Sequence, residues 1–181
     1  MIYKQQFSVI FFLLLCVSLA WSQSKKTGPI IKDFGEVWQI ENPDYKTDTK
    51  ASLKVVFDIM NSPESHQEIN KSIETAARFL NMHAKAGVAP ANLQAVLVVH
   101  NRASKDIITN TAYQTRYGMN NPNEALIQAL LEADVDIIFC GQSSVSRGIP
   151  REETIEGVQL GLSAMTALIQ LQNEGYQLIK F

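Results

Sequence analysis

Three short stretches of the chain are almost wholly apolar: LKVVFDIM at 53–60, LQAVLVVH at 93–100 and VDIIFCG at 135–141. Runs of this length, rich in Val and Ile and lacking polar alternation, predict strands buried on both faces. Between the first two the period changes. Ile69, Ile73, Ala76, Leu80 and Ala84 recur at three- and four-residue steps, which predicts an amphipathic helix. Ser65 and Glu68 have capping-box spacing and predict its start, and Gly87 its stop. Residues 101–120 are polar and mixed, as expected of short helical pieces around a long loop. Asn121-Pro-Asn-Glu124 opens another helix, with Ala125, Leu126, Ala129 and Leu130 as its apolar stripe. GVQLGLS (157–163) predicts a short strand, Ser163 caps a helix that runs to about Asn173, and YQLIKF (176–181) predicts a last strand after Gly175. Strands alternating with helices argue for a parallel sheet covered on both sides, a three-layer, doubly wound α/β fold.

The first 22 residues follow a different pattern. Lys4 precedes the apolar run FSVIFFLLLCVSLA, which is too short and too near the terminus for a membrane span, and Ala20 and Ser22 are small residues at the −3 and −1 positions of a cleavage site. A signal peptide cleaved after Ser22 is expected, with a periplasmic or secreted mature chain and no membrane span. Residues 23–52 are polar with scattered apolar positions and read as an arm, in which Ile30, Ile31, Phe34, Val37 and Trp38 pack onto a domain spanning 53–181. Cleavage removes Cys16, one of the two cysteines, and leaves Cys140 with no internal disulfide partner.

Composition narrows the function classes. A hydrophobic content of 46% is that of a globular chain, and a formal charge of −2 gives no footprint for nucleic acid or anionic membrane. There is no H-E-x-x-H or C-x-x-C pair, no G-x-G-x-x-G and no P-loop, so neither a metal nor a nucleotide cofactor is expected. Gly141-Gln-Ser143-Ser-Val145 lacks the last glycine of a serine nucleophile elbow.

In parallel sheets ligands bind beyond the carboxyl ends of the strands. That rule selects Asn61 after the first strand, His100 and Asn101 after the second, and Cys140 with Gly141, Gln142 and Ser143 after the third. A thiolate is the nucleophilic form of cysteine, and backbone N–H groups or cations lower its pKa. Main-chain amides of the Gly- and Ser-rich loop, the Arg147 guanidinium and the His100 imidazole are the candidates for that work, and Gly141 would let a donor sulfur approach. Bland roles stand beside these. Cys140 can be a small buried hydrophobe, His100 a hydrogen-bonded structural residue, and Arg147 a partner of Glu152 or Glu153. His66 and His83 read as surface residues.

KVVFDIM, the VVHN strand end, NPNEALIQALLEADVDIIFCGQSSVSRGI and GVQLGLSAMTALIQLQNEGYQLIKF together resemble the DsrE/DsrF-like family over about residues 30–181. The resemblance implies a five-stranded parallel sheet and a homo-oligomer, trimer or hexamer. It also points to the sulfur-relay members, which carry a persulfide on a cysteine followed after six residues by Arg-Gly. Cys140 is followed after six residues by Arg147-Gly148, so that role falls on Cys140, with a sulfur donor or acceptor protein as partner. The export signal and the arm depart from the cytoplasmic relay pattern. The alternative is a non-catalytic module of the same fold that binds a small ligand or a partner.

Overall fold

The apolar runs become the centre of a five-stranded sheet. In the computed structural model, which describes residues 24–180, the elements are β1 (Leu53–Ile59), α1 (Lys71–Lys85), β2 (Leu93–Val99), a 3-10 segment (Asn101–Ile107), α2 (Asn110–Tyr117), α3 (Glu124–Glu132), β3 (Asp136–Cys140), α4 (Gly141–Arg147), β4 (Gln159–Gly161), α5 (Ala164–Asn173) and β5 (Gln177–Ile179). The strand order is β4-β3-β2-β1-β5, and every pairing is parallel. Helices cover both faces, so the fold is the three-layer, doubly wound α/β arrangement. The expected signal sequence, residues 1–22, lies outside the described residues. Among those described, no helix is long and apolar enough to cross a membrane.

Strand alternation divides the core. Val55, Phe57, Ile59, Leu97, Val99, Ile137 and Phe139 face one side and pack with Ile73 and Leu80 of α1 and Leu126 and Leu130 of α3. Val56, Val96, Val98 and Cys140 face the other and meet Ala164, Ala167 and Leu171 of α5. Burying each of these valines contributes about 1.5–3 kcal/mol.

Two local expectations are corrected. The helix expected from Ser65 starts instead at Lys71, capped by Asn70, whose Oδ1 accepts from the amides of Ser72 and Ile73. Asn70 also donates to the buried Asp106 carboxylate and so has tertiary support that Ser65 lacks. The Gly- and Ser-rich stretch after Cys140 is not a loop but the helix α4, closed by Gly148 in the left-handed conformation (φ 60°). Its residues are weak helix formers, and the turn is held by tertiary bonds such as Ser144 Oγ donating to Ile149 O at 2.7 Å.

Residues ahead of β1 lie against α1. A bridge pairs Lys26 with Val37, and Ile31 and Val37 are buried. Asn81, on the buried side of α1, fixes this segment. Its Oδ1 accepts from the amides of Ile30 and Ile31, and its Nδ2 donates to the carbonyls of Ile31, Phe34 and Gly35.

Candidate functional site

Cys140 ends β3 and is the N-cap residue of α4. Its side chain continues the alternation of Ile138 and faces α5. Two helix starts converge there, because α5 begins at Ala164 directly after β4, the strand beside β3. Burial alone would raise the thiol pKa. Hydrogen bonds from the Ser143 and Ala164 amides, the Ser143 hydroxyl and the Gln142 amide outweigh it and hold the pKa below the ordinary thiol value. A neutral thiol is a weak acceptor and a thiolate a strong one, so these donors favour ionisation.

The approach of α4 to β4 depends on Gly141. A Cβ at this position would lie 2.7 Å from Gly161 O and 3.2 Å from Leu162 O. The glycine is therefore required by the packing of two backbones. Cys140 is also only 5% exposed. Gln142 and Leu162 are the exposed residues at the α4–β4 seam, joined weakly by Gln142 Nε2 donating to Leu162 O at 3.4 Å.

His100 lies one residue beyond Val99, and Cys140 one beyond Phe139, its partner in the sheet. The two are thus neighbours at the carboxyl edge, yet the imidazole is engaged elsewhere. Its Nε2 is 2.7 Å from Asp58 Oδ1, and because an ionised carboxylate only accepts, Nε2–H is the donor. Asp58 Oδ2 meets Lys180 Nζ at 2.7 Å. Burial raises the Asp58 pKa, and the bonds and charges of Lys180 and His100 bring it below the usual carboxylate value. Lys180, Asp58 and His100 form a polar row across β5, β1 and β2 that leads towards Cys140.

Arg147 does not reach the thiol and does not pair with Glu152 or Glu153. It donates to Asn101 Oδ1, and Glu153 pairs with Arg116. Asn101 adopts the left-handed conformation (φ 53°), and its amide donates to Ser143 Oγ at 3.0 Å. The chain Arg147–Asn101–Ser143–Cys140 thus brings four of the selected residues together indirectly. Asn61 stands apart, its carbonyl accepting from Asn70 Nδ2 and its side chain exposed. His66 and His83 are half-buried rather than surface residues. His66 packs its ring on Tyr117, and His83 Nδ1 lies 2.8 Å from Phe79 O.

Sequence reasoning missed Asp58, Lys180, Ala164 and Asp106. Asp58 had a legible signal, a carboxylate inside an apolar strand near its carboxyl end. Asp106 had none, because its partners Ser62, Asn70 and Asn123 are distant in sequence. Among the described residues no cluster of three or more His, Cys, Asp or Glu side chains is placed to hold a metal.

Solved structures with the same fold include a protein of unknown function, MTH1491, from Methanobacterium thermoautotrophicum, at 16% identity and a TM-score of 0.54, with 71% of this chain and 99% of that chain covered. The ychN protein from E. coli matches at 19% identity and a TM-score of 0.53, with the same coverages, 71% and 99%. No curated protein matches the chain. The DsrE/DsrF-like family model matches residues 54–181, which contain the whole sheet apart from Leu53 and every residue of the cysteine site. The chain belongs to the DsrE/DsrF-like family.

Proposed function

We propose that Cys140 carries sulfur as a persulfide. The observation that supports this is the set of donors around its sulfur, the amides of Gln142, Ser143 and Ala164 and the Ser143 hydroxyl, which favour the thiolate. In the loading step the Cys140 thiolate attacks the outer sulfur of a donor persulfide. A new S–S bond forms to Cys140, the donor's S–S bond breaks, and the donor leaves as a thiolate. In the unloading step an acceptor nucleophile takes the outer sulfur and Cys140 leaves as the thiolate. The same donors stabilise Cys140 in both directions, and each step exchanges one S–S or S–nucleophile bond with no external oxidant or reductant. His100, held by Asp58 through Nε2, is the nearest strand-end imidazole and the proposed proton partner for donor and acceptor thiols. Arg147 acts through Asn101 and Ser143 as a positioning residue.

The test is mass spectrometry after incubation with a small persulfide donor. The expected result is a gain of one sulfur atom, localised to Cys140 and absent from Cys140→Ser. An unlabelled Cys140, under conditions that load a known carrier, would contradict the proposal.

The 5% exposure of Cys140 favours a second reading, a non-catalytic ligand- or partner-binding module at the same edge. That reading predicts slow alkylation at neutral pH and unchanged binding in Cys140→Ser.

Export and assembly belong to the same proposal. A cleaved signal places the chain in the periplasm or outside the cell, and intact mass of the exported protein should begin at Gln23. Leu162, Met165 and Ile169, all more than half exposed around the start of α5, support a homo-oligomer, trimer or hexamer. A monomeric mass by light scattering at micromolar concentration would remove it.

A further inference from the structure

A cavity lies at the same end of the molecule, away from the Cys140 sulfur. Its volume is about 330 Å³, and Arg102, Lys105, Arg116 and Arg147 line it together with the rings of His66 and Tyr117. Among the described residues, the only carboxylate residue in the lining is Glu64, which bonds Arg102. A concentration of four cations is unexpected in a chain whose formal charge is −2.

Three of the four cations have a carboxylate partner, Arg102 with Glu64, Lys105 with Asp106 and Arg116 with Glu153, so the cluster keeps one positive charge in excess, that of Arg147. Arg147 is held by the neutral Asn101 Oδ1, and among the described residues it has no carboxylate partner. Arg116 meets Glu153 Oε2 through both Nε and Nη2, and Nη2 also donates to the carbonyl of Gly148. Lys105, with a side chain only 12% exposed, shares Asp106 with Ser62, Asn70 and Asn123. Cations partly withdrawn from water act more strongly on a ligand than fully solvated ones. Guanidinium forks match the paired oxygens of an oxyanion. The volume lies at the lower end of the roughly 300–1,000 Å³ of small-molecule sites, so it holds more than a bare ion. The His66 and Tyr117 rings, with centroids 4.2 Å apart, give it an aromatic wall.

We propose that this cavity binds a tetrahedral oxyanion group, phosphate or sulfonate in type, carried on a small organic body. Arg102, Arg116 and Arg147 grip the oxygens, Lys105 supplies charge from below, and the body lies against His66 and Tyr117. The site does not depend on sulfur chemistry, so its test uses the wild type and Cys140→Ser side by side.

Calorimetric titration at low ionic strength with inorganic phosphate, inorganic sulfate and glycerol 3-phosphate tests it. Saturable one-site binding is expected, equal in wild type and Cys140→Ser, with glycerol 3-phosphate tighter than either inorganic ion. Arg147→Gln should weaken it about ten-fold or more. Glu64→Gln, which removes the exposed acid from the rim, should tighten it by about two-fold or more. This opposite sign guards against a variant that has merely lost its fold. Absence of saturable binding would overturn the proposal, as would affinities indifferent to both substitutions. Inorganic ions binding more tightly than glycerol 3-phosphate would overturn the organic body.

Discussion

Asp106 and Cys140 are both buried polar groups near the carboxyl edge of the sheet, and their surroundings differ in one decisive respect. The Asp106 carboxylate is fully buried and receives Ser62 Oγ, Asn70 Nδ2, Asn123 Nδ2 and Lys105 Nζ. Its acceptor capacity is matched by four donors, and it ties the β1–α1 connection and the start of α3 to its own 3-10 segment. Cys140 is also surrounded by donors, but a thiol uses them poorly and only the thiolate uses them fully. Matched donors and acceptors build structure, whereas donors in excess of what the resting group can accept bias it towards a reactive form.

Substitutions can break the comparison on either side. The largest effect should come from Asp106→Ala, which leaves the Lys105 cation without its carboxylate, takes from Asn70 Nδ2 one of its two acceptors and loosens the cap of α1. A loss of about 3–5 kcal/mol is expected in urea unfolding, with thiol reactivity changed only as far as the fold is loosened. Gly141→Ala comes next. Its Cβ would strike Gly161 O at 2.7 Å, so α4 must move from β4 at a cost of about 1–3 kcal/mol, and the thiol pKa should rise as the amides shift. Ser143→Ala should be milder for stability, about 1 kcal/mol for the lost bonds, yet it should raise the thiol pKa because a donor to the sulfur has gone.

The smallest effect concerns pH. Asp58 has a folded pKa below its ordinary carboxylate value. It therefore contributes stability that is present above about pH 4 and lost as pH falls through the folded pKa. Asp58→Asn should flatten that part of the acid limb when urea stability is followed between about pH 3 and 6. An acid limb identical to wild type would show that the Lys180–Asp58–His100 row carries no net stabilisation.

The legible parts of the molecule were those with a local cause. The strands declared themselves through runs such as Val55–Phe57 and Val96–Val99, because burial on both faces leaves no room for polar alternation. Ser163 was readable as a cap because its hydroxyl serves Thr166 three residues on. The errors share the opposite character. Ser65 has the right spacing for a cap, but Asn70 displaced it through the distant Asp106. GQSSVSR has little helix propensity, and contacts from Asn101 and Ile149 hold it as α4. The candidate site followed the same division. Strand ends located Cys140, His100 and Asn101, but the His100 ring turns to Asp58 and Arg147 turns to Asn101, choices made by side chains from other strands and helices.

The central claim is that neutral donors at two helix starts hold the Cys140 thiol below its ordinary pKa. It is tested most directly by the pH dependence of Cys140 alkylation, read by mass spectrometry in wild type and in Ser143→Ala. The account predicts a wild-type midpoint below about 8.5 and a higher midpoint in the variant. A wild-type midpoint at or above that value, unmoved by the loss of the Ser143 hydroxyl, would contradict it.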